Sequence, residues 1–200
     1  PMEKSEVETK ARELIEPVMG KAKSEKLIAL CNGLDVRALD YNKTMLSAHG
    51  LAPPETLAEL DAIAETIAPP GAEGSRASFG YLPDPRRLWA WGIVFGGRFY
   101  DPQTGEITAD GEPIVRALDW ITGYRRRYGA EQVAAFRVGD QSLPGATFPL
   151  LEGRYAIVMD GQWRVRDIAR AQQAQSEQGR PVTEDGVCPL PPPAGGRRRA

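Results

Sequence analysis

The sequence predicts an α/β fold, and three observations predict it. Short apolar and β-branched runs alternate with amphipathic helical stretches along the whole chain. Capping residues, prolines and glycines fall where those helices should start and stop. One run near the carboxyl end, Tyr155 to Met159, reads as a buried strand closed by Asp160-Gly161 and followed by an indole, Trp163. Asp-Gly after an apolar run is turn chemistry, because glycine takes positive φ without steric cost. Ligands in open α/β sheets sit beyond the carboxyl ends of strands. Trp163 is therefore a candidate ligand-facing ring as well as a candidate core residue.

The elements follow in order. Glu6 to Met19 puts Val7, Ala11, Leu14, Ile15 and Val18 on one helical face, and Gly20 ends it. Lys26 to Cys31 reads as a strand, broken by Asn32-Gly33. Leu34 to Lys43 continues in extended alternation, as a hairpin partner or as one path between two domains. A short helix then reaches the rigid turn Gly50-Leu-Ala-Pro-Pro54. Thr56 with Glu59 forms a capping box, opening a helix with Leu57, Leu60, Ile63 and Ile67 inward. Ala77 to Tyr81 reads as a short strand. Asp84-Pro85 is an N-cap with proline at the first helical position, leading into a helix carrying Leu88, Trp89, Trp91, Ile93, Val94 and Phe95. That helix is apolar nearly all round, so either it is buried or its first turn lines a cleft.

Tyr100 to Gly105 is a turn between two short extended pieces. Asp110 and Pro113 start a long helix with Ile114, Leu118 and Ile121 inward, capped at Gly129. Arg125 to Arg127 complement the dipole at its end. Gln141 to Thr147 reads as loop, Val165 to Gln175 as a polar helix, and Gly186 to Leu190 as a last strand. The proline- and glycine-rich stretch after Leu190 cannot be regular structure.

Two hundred residues with 42% hydrophobic content suffice for one sizeable core. Basic and acidic residues nearly balance, 25 against 27, so neither a polyanion such as nucleic acid nor a membrane surface is implied as partner. No apolar run approaches the ~20 residues that span a bilayer, and no charged-then-apolar leader opens the chain. Cys31 and Cys188 lack metal-site spacing and read as small buried hydrophobes or as one long-range bridge. His49, beside Gly50, reads as a surface residue.

Several pieces together resemble the family 1 extracellular solute-binding proteins, the sugar receptors of ATP-binding cassette importers. They are Lys26-Leu-Ile-Ala29, Leu39-Asp-Tyr-Asn-Lys43, Gly50 to Leu60, Trp89 with Gly96-Gly97, and Tyr100-Asp101 with Thr104-Gly105. Gly153-Arg-Tyr-Ala156 with Asp160-Gly-Gln-Trp163, and Gly186 to Pro191, complete the set. Leu57, Leu150 and Ile157 replace residues usual in that family, each apolar for apolar. The resemblance implies a type II periplasmic-binding-protein-like fold, mainly one lobe with a partial piece of the other. Residues 1–34 would end lobe one, 35–190 would be the main pass of lobe two, and 191–200 a tail. The chain would then be a fragment of a periplasmic or extracellular, membrane-anchored lipoprotein.

The implied function is capture of a carbohydrate-type solute by hinge closure between lobes, then delivery to membrane permease subunits, without cofactor, metal, catalysis or nucleic acid. Sugar ring faces pack on flat aromatics and their hydroxyls need fixed polar partners. Trp163 matches the family's stacking indole, and Asp35, with Arg37 as a weaker neighbour, the acidic hinge-strand position. Asp84 and Arg86 fall where the family's first helical turn reaches the cleft, although Asp84 also serves as a cap. Trp89 fits a cleft wall or the core, and Asp160 fits a turn or a ligand contact. Two other readings stay open. Asp35, Asp84 and Asp160 could supply glycosidase carboxylates, or the chain could be an incomplete domain without function of its own.

Overall fold

The structure is a computed structural model that describes residues 9–10, 12–13, 16–17, 20–21, 37–68, 77–141, 148–161 and 164–194. The chain divides into two compact units, Pro1–Val36 and Arg37–Ala200. In the first, every described residue except Gly20 is helical. The whole apolar face expected there, Val7, Ala11, Leu14, Ile15 and Val18, and the strand expected over Lys26 to Cys31, lie outside the described residues.

The second unit is built on a sheet of four strands. They are β1 (Ala38–Asn42), β2 (Phe79–Tyr81), β3 (Tyr155–Asp160) and β4 (Asp185–Pro189), in the order β2-β3-β1-β4. The β2–β3 pair is parallel, with Phe79 opposite Tyr155 and Tyr81 opposite Ile157. β1 runs antiparallel to both neighbours, placing Leu39 opposite Met159 and Cys188. The helices are α1 (Lys43–Ala48), α2 (Leu57–Ile67), α3 (Leu88–Val94), α4 (Glu112–Tyr128), α5 (Ala130–Gln141) and α6 (Arg164–Glu177).

β3 meets two apolar clusters. Ile157 joins the main core with Leu39, Leu60, Ile63, Phe79, Tyr81, Trp91, Ile121 and Tyr124. Val158 packs against a smaller cluster of Phe148, Leu150, Leu151, Ile168 and Ala171, and Tyr155 touches both. Asn42 links the two sides. Its carbonyl oxygen accepts the Met45 N–H at 2.8 Å and caps α1, while its amide donates to the Leu150 carbonyl at 2.8 Å.

β2 is only three residues long and wholly buried. Gly80 lets α2 pack directly on the strand's backbone, because a Cβ there would stand 2.6 Å from the Ile63 carbonyl oxygen and 2.7 Å from the Ala64 Cα. α2 is fixed in turn to α4. Tyr124 donates its hydroxyl to Asp61 at 2.5 Å, the Trp120 indole donates to the same carboxylate at 3.1 Å, and the Tyr128 hydroxyl donates to the Ala64 carbonyl at 3.0 Å. Rings continue the contact: Trp91 lies 4.6 Å from Trp120 between centroids, and Phe79 lies 4.6 Å from Phe136.

The capping box forms as the sequence predicts, with Thr56 accepting the Glu59 N–H and Glu59 accepting the Thr56 N–H. Leu118 departs from expectation, being 41% exposed. The inward stripe of α4 runs Ile114, Ala117, Ile121, Tyr124, Tyr128, and Leu118 sits one position past it. Gly129, at φ 84°, ends α4 as expected. α5, which the sequence reading left without an element, begins at the next residue and buries Val133 and Phe136. His49 is exposed; Cys188 is half-buried against the core, and Cys31 lies outside the described residues.

Two substitutions test these contacts by thermal or urea unfolding. Gly80→Ala forces α2 off β2 and should cost about 1–3 kcal/mol, as overpacking typically does. Thr56→Ala, which removes one half of the box, should cost about 1 kcal/mol.

Candidate functional site

Because β2 and β3 run parallel, their carboxyl ends lie side by side and their trailing segments converge. Between them opens a cavity of about 640 Å³, walled by Tyr81, Tyr155, Val158 and Met159 from the strands and by Phe148, Pro149 and Leu150 from the segment before β3. Its polar side comes from Asp84 and the 3₁₀ turn Pro85–Arg87, from Asp160 at the end of β3, and from α5 and α6.

The 3₁₀ turn is shaped by its own sequence. Asp84 precedes Pro85, whose fixed φ suits a helical start, and accepts the Arg86 N–H at 3.0 Å. The Arg86 guanidinium then folds back on the same carboxylate at 2.8 Å. Burial pushes the Asp84 carboxyl up, but the hydrogen bonds from the Arg86 side chain and backbone outweigh it and hold the group below the usual carboxylate range.

Asp160 ends β3 and is 7% exposed. It accepts the Gly161 N–H at 3.0 Å and the Arg164 Nε at 2.5 Å, with Arg87 at 3.9 Å. Arg164 also donates to Asp167 at 3.1 Å and lies over the Phe148 ring, 5.2 Å from its centre. Burial would lower the Arg164 pKa, yet its bonds to Asp160 and Asp167 raise it above its ordinary value. A buried carboxylate needs such pairing; here it also fixes the angle at which α6 leaves β3.

Two further arginines line the cavity. Arg137, from α5, donates to the Pro83 carbonyl at 2.7 Å, and Arg170 projects from α6. The sequence reading named neither, nor Arg87 or Arg164. The Asp160–Arg164 pair could have been read from its four-residue spacing. Arg137 reaches the cavity through a contact 54 residues distant, which no local pattern encodes.

Of the residues singled out in the sequence, Asp84, Arg86 and Asp160 are thus brought together at this cavity. Trp89 does not line it: the ring is 39% exposed, with the Arg37 guanidinium 5.3 Å from its centre. Trp163 and Asp35 lie outside the described residues. Among the described residues no group of three or more His, Cys, Asp or Glu side chains is placed to share a metal ion. Asp84 is held ionised and Asp160 is engaged by Arg164.

Asp40, in the middle of β1, is 7% exposed and sits near both Asp160 and Asp185. Burial first, then those two carboxylates, pushes its pKa up to about 6 from the ordinary 3.8. The folded chain therefore holds this proton more tightly than the unfolded chain. Ionisation costs nothing below about pH 4, destabilises increasingly up to about pH 6, and stays constant above. Asp40→Asn should accordingly melt near the parent at pH 4 and above it at pH 8. A melting difference that does not change with pH contradicts that cause.

Comparisons with known proteins bear on the same region. A family model described as bacterial extracellular solute-binding protein matches residues 7–194. Solved structures share the fold. One is CpMnBP1 with mannotriose bound, at 25% identity and a TM-score of 0.62, covering 81% of this chain and 41% of that one. Another is the sugar-binding protein MalE from the phytopathogen Xanthomonas citri, at 21% identity and a TM-score of 0.57, covering 79% and 38%. The GacH receptor of Streptomyces glaucescens, studied unliganded and with acarbose, gives 23% identity and a TM-score of 0.52, covering 80% and 38%. The chain spans about two fifths of the length of these structures.

Proposed function

The chain belongs to the bacterial extracellular solute-binding protein family, and from that premise we propose that it contributes one wall of a cleft that captures a carbohydrate. The observation carrying this reading is the cavity at the carboxyl ends of β2 and β3, where Asp84, Arg86 and Asp160 stand beside Tyr81, Tyr155 and Phe148. Saccharide recognition asks for that pairing of polar side chains that bond hydroxyls with rings that cover apolar sugar faces. Support comes from structural relatives that hold saccharides, mannotriose in CpMnBP1 and maltotetraose in a cyclo/maltodextrin-binding protein.

In this reading the solute enters the cavity, a second lobe closes over it by a hinge motion of the kind known for periplasmic binding proteins, and the closed form docks on permease subunits of an importer. Asp84 and Asp160 accept sugar hydroxyls, Arg86 donates to ring or hydroxyl oxygens, and Trp163 stacks on a sugar face. Asp35, with Arg37 as its neighbour, would act at the hinge strand. Residues 35–190 are then the main pass of one lobe and 1–34 the end of the other. The protein works outside the cytoplasm, tethered to the membrane, and does no chemistry on its cargo. Among the described residues no helix is long and apolar enough to cross a membrane.

Titration calorimetry of the natural-length protein against a panel of mono- and oligosaccharides tests the reading. Saturable heat with at least one saccharide is expected, and Asp84→Ala or Trp163→Ala should weaken it about tenfold, close to 1.4 kcal/mol. No heat with any saccharide, together with binding of a peptide or polyamine, contradicts it.

A further inference from the structure

We propose that the saccharide taken by this cavity carries an oxyanion, a uronate carboxylate or a sulfate or phosphate ester; the proposal rests on the carbohydrate reading above. The chain as a whole is slightly acidic, with net charge −2. The cavity departs from that balance, being lined by five arginines against three aspartates. Two of the arginines already engage all three carboxylates: Arg86 holds Asp84, and Arg164 holds Asp160 and Asp167.

Among the described residues three guanidiniums have no carboxylate within hydrogen-bond length, one each from the 3₁₀ turn, α5 and α6, although Arg87 keeps a long ion pair to Asp160. Arg87, in the 3₁₀ turn, has its nearest carboxylate oxygen, on Asp160, at 3.9 Å, beyond hydrogen-bond length. Arg137, on α5, spends its recorded hydrogen bond on a neutral carbonyl, that of Pro83. Arg170, on α6, is exposed, and among the described residues no ion pair joins it to a carboxylate. These three come from separate elements, so they are no local basic run of sequence. All three line the cavity beside Phe148, Tyr155 and Val158.

A neutral sugar would leave the two-charge excess of arginine over aspartate only partly compensated when the cleft closes and water leaves, and desolvating poorly paired charge is costly. An oxyanion offers the opposite balance. The planar guanidinium fork matches a carboxylate, sulfate or phosphate with two parallel hydrogen bonds, which are the strong charge-assisted kind. Part of the attraction acts through solvent and should weaken with added salt.

The test is titration calorimetry of the natural-length protein with matched pairs: digalacturonate against α-1,4-galactobiose, glucose 6-phosphate against glucose, and inorganic phosphate alone. The acidic member of at least one pair should bind at least about tenfold tighter than its neutral counterpart, with a gap that narrows as sodium chloride is raised. Preference for digalacturonate identifies a carboxylate as the oxyanion, and preference for the sugar phosphate identifies an ester. Arg170→Gln, at an exposed position on the cavity rim, should weaken the acidic ligand about fivefold or more and a neutral ligand by distinctly less. Arg137→Gln should act in the same direction. Neutral sugars binding as tightly as acidic ones overturn the charge assignment and leave the carbohydrate reading standing. Inorganic phosphate binding as tightly as its sugar ester, or no binding by any of these, overturns the charged-saccharide proposal, and the wider saccharide panel then decides the carbohydrate reading on its own.

Discussion

The parallel pairing of β2 with β3 is the constraint on which the rest of the second unit depends. Phe79 opposite Tyr155 and Tyr81 opposite Ile157 bring two carboxyl-terminal strand ends to the same place. β2 has only three residues with which to hold that register. It does so because both of its faces are sealed. Gly80 admits the α2 backbone, and the rings of Phe79 and Tyr81 lock into Tyr128, Phe136, Trp91 and Tyr124. A one-residue slip would turn those rings to the opposite face and would carry the Asp84 turn away from Asp160.

Polar groups then convert strand position into cavity shape. Asn42 ties the start of α1 to the segment before β3. Gln175 and Thr183 bond the Leu151 carbonyl and each other, fixing the end of α6 against that same segment. Arg164 closes the corner between β3 and α6 through Asp160. Each of these side chains satisfies a backbone group or a charge near the sheet's end, where an unmet partner would be expensive. The bonds of Asn42, Gln175 and Thr183 thus hold the segment behind the cavity wall, while the Arg164–Asp160 pair is itself part of the lining.

What could be read in the sequence was what local physics encodes. The Thr56 capping box, the Asp84-Pro85 start, the turn at Gly105 and the end of α4 at Gly129 are signals within a few residues, and each appears where its residues predict. The strand Tyr155–Asp160 was readable from its apolar run and its Asp-Gly stop. α5 was missed because its inward residues, Val133 and Phe136, make a short and weak stripe directly behind another helix. Trp89 looked like a wall or core ring because its helix is apolar, yet the burial falls on Ala90, Trp91 and Gly92. Asp84, Arg86 and Asp160 could be named as candidates. Their meeting with Arg137 and Arg170 depends on tertiary packing, and so the charge of the cavity was not readable from any one stretch.

A face that receives a solute should become less open to solvent exchange when the solute is present. Amide hydrogen exchange of the natural-length protein, with and without a saturating saccharide, therefore tests the assignment of this surface most directly. Slowed exchange across 82–87 and 158–170 on ligand addition is the expected result. Unchanged exchange in both stretches, with protection appearing elsewhere in the protein, would contradict it.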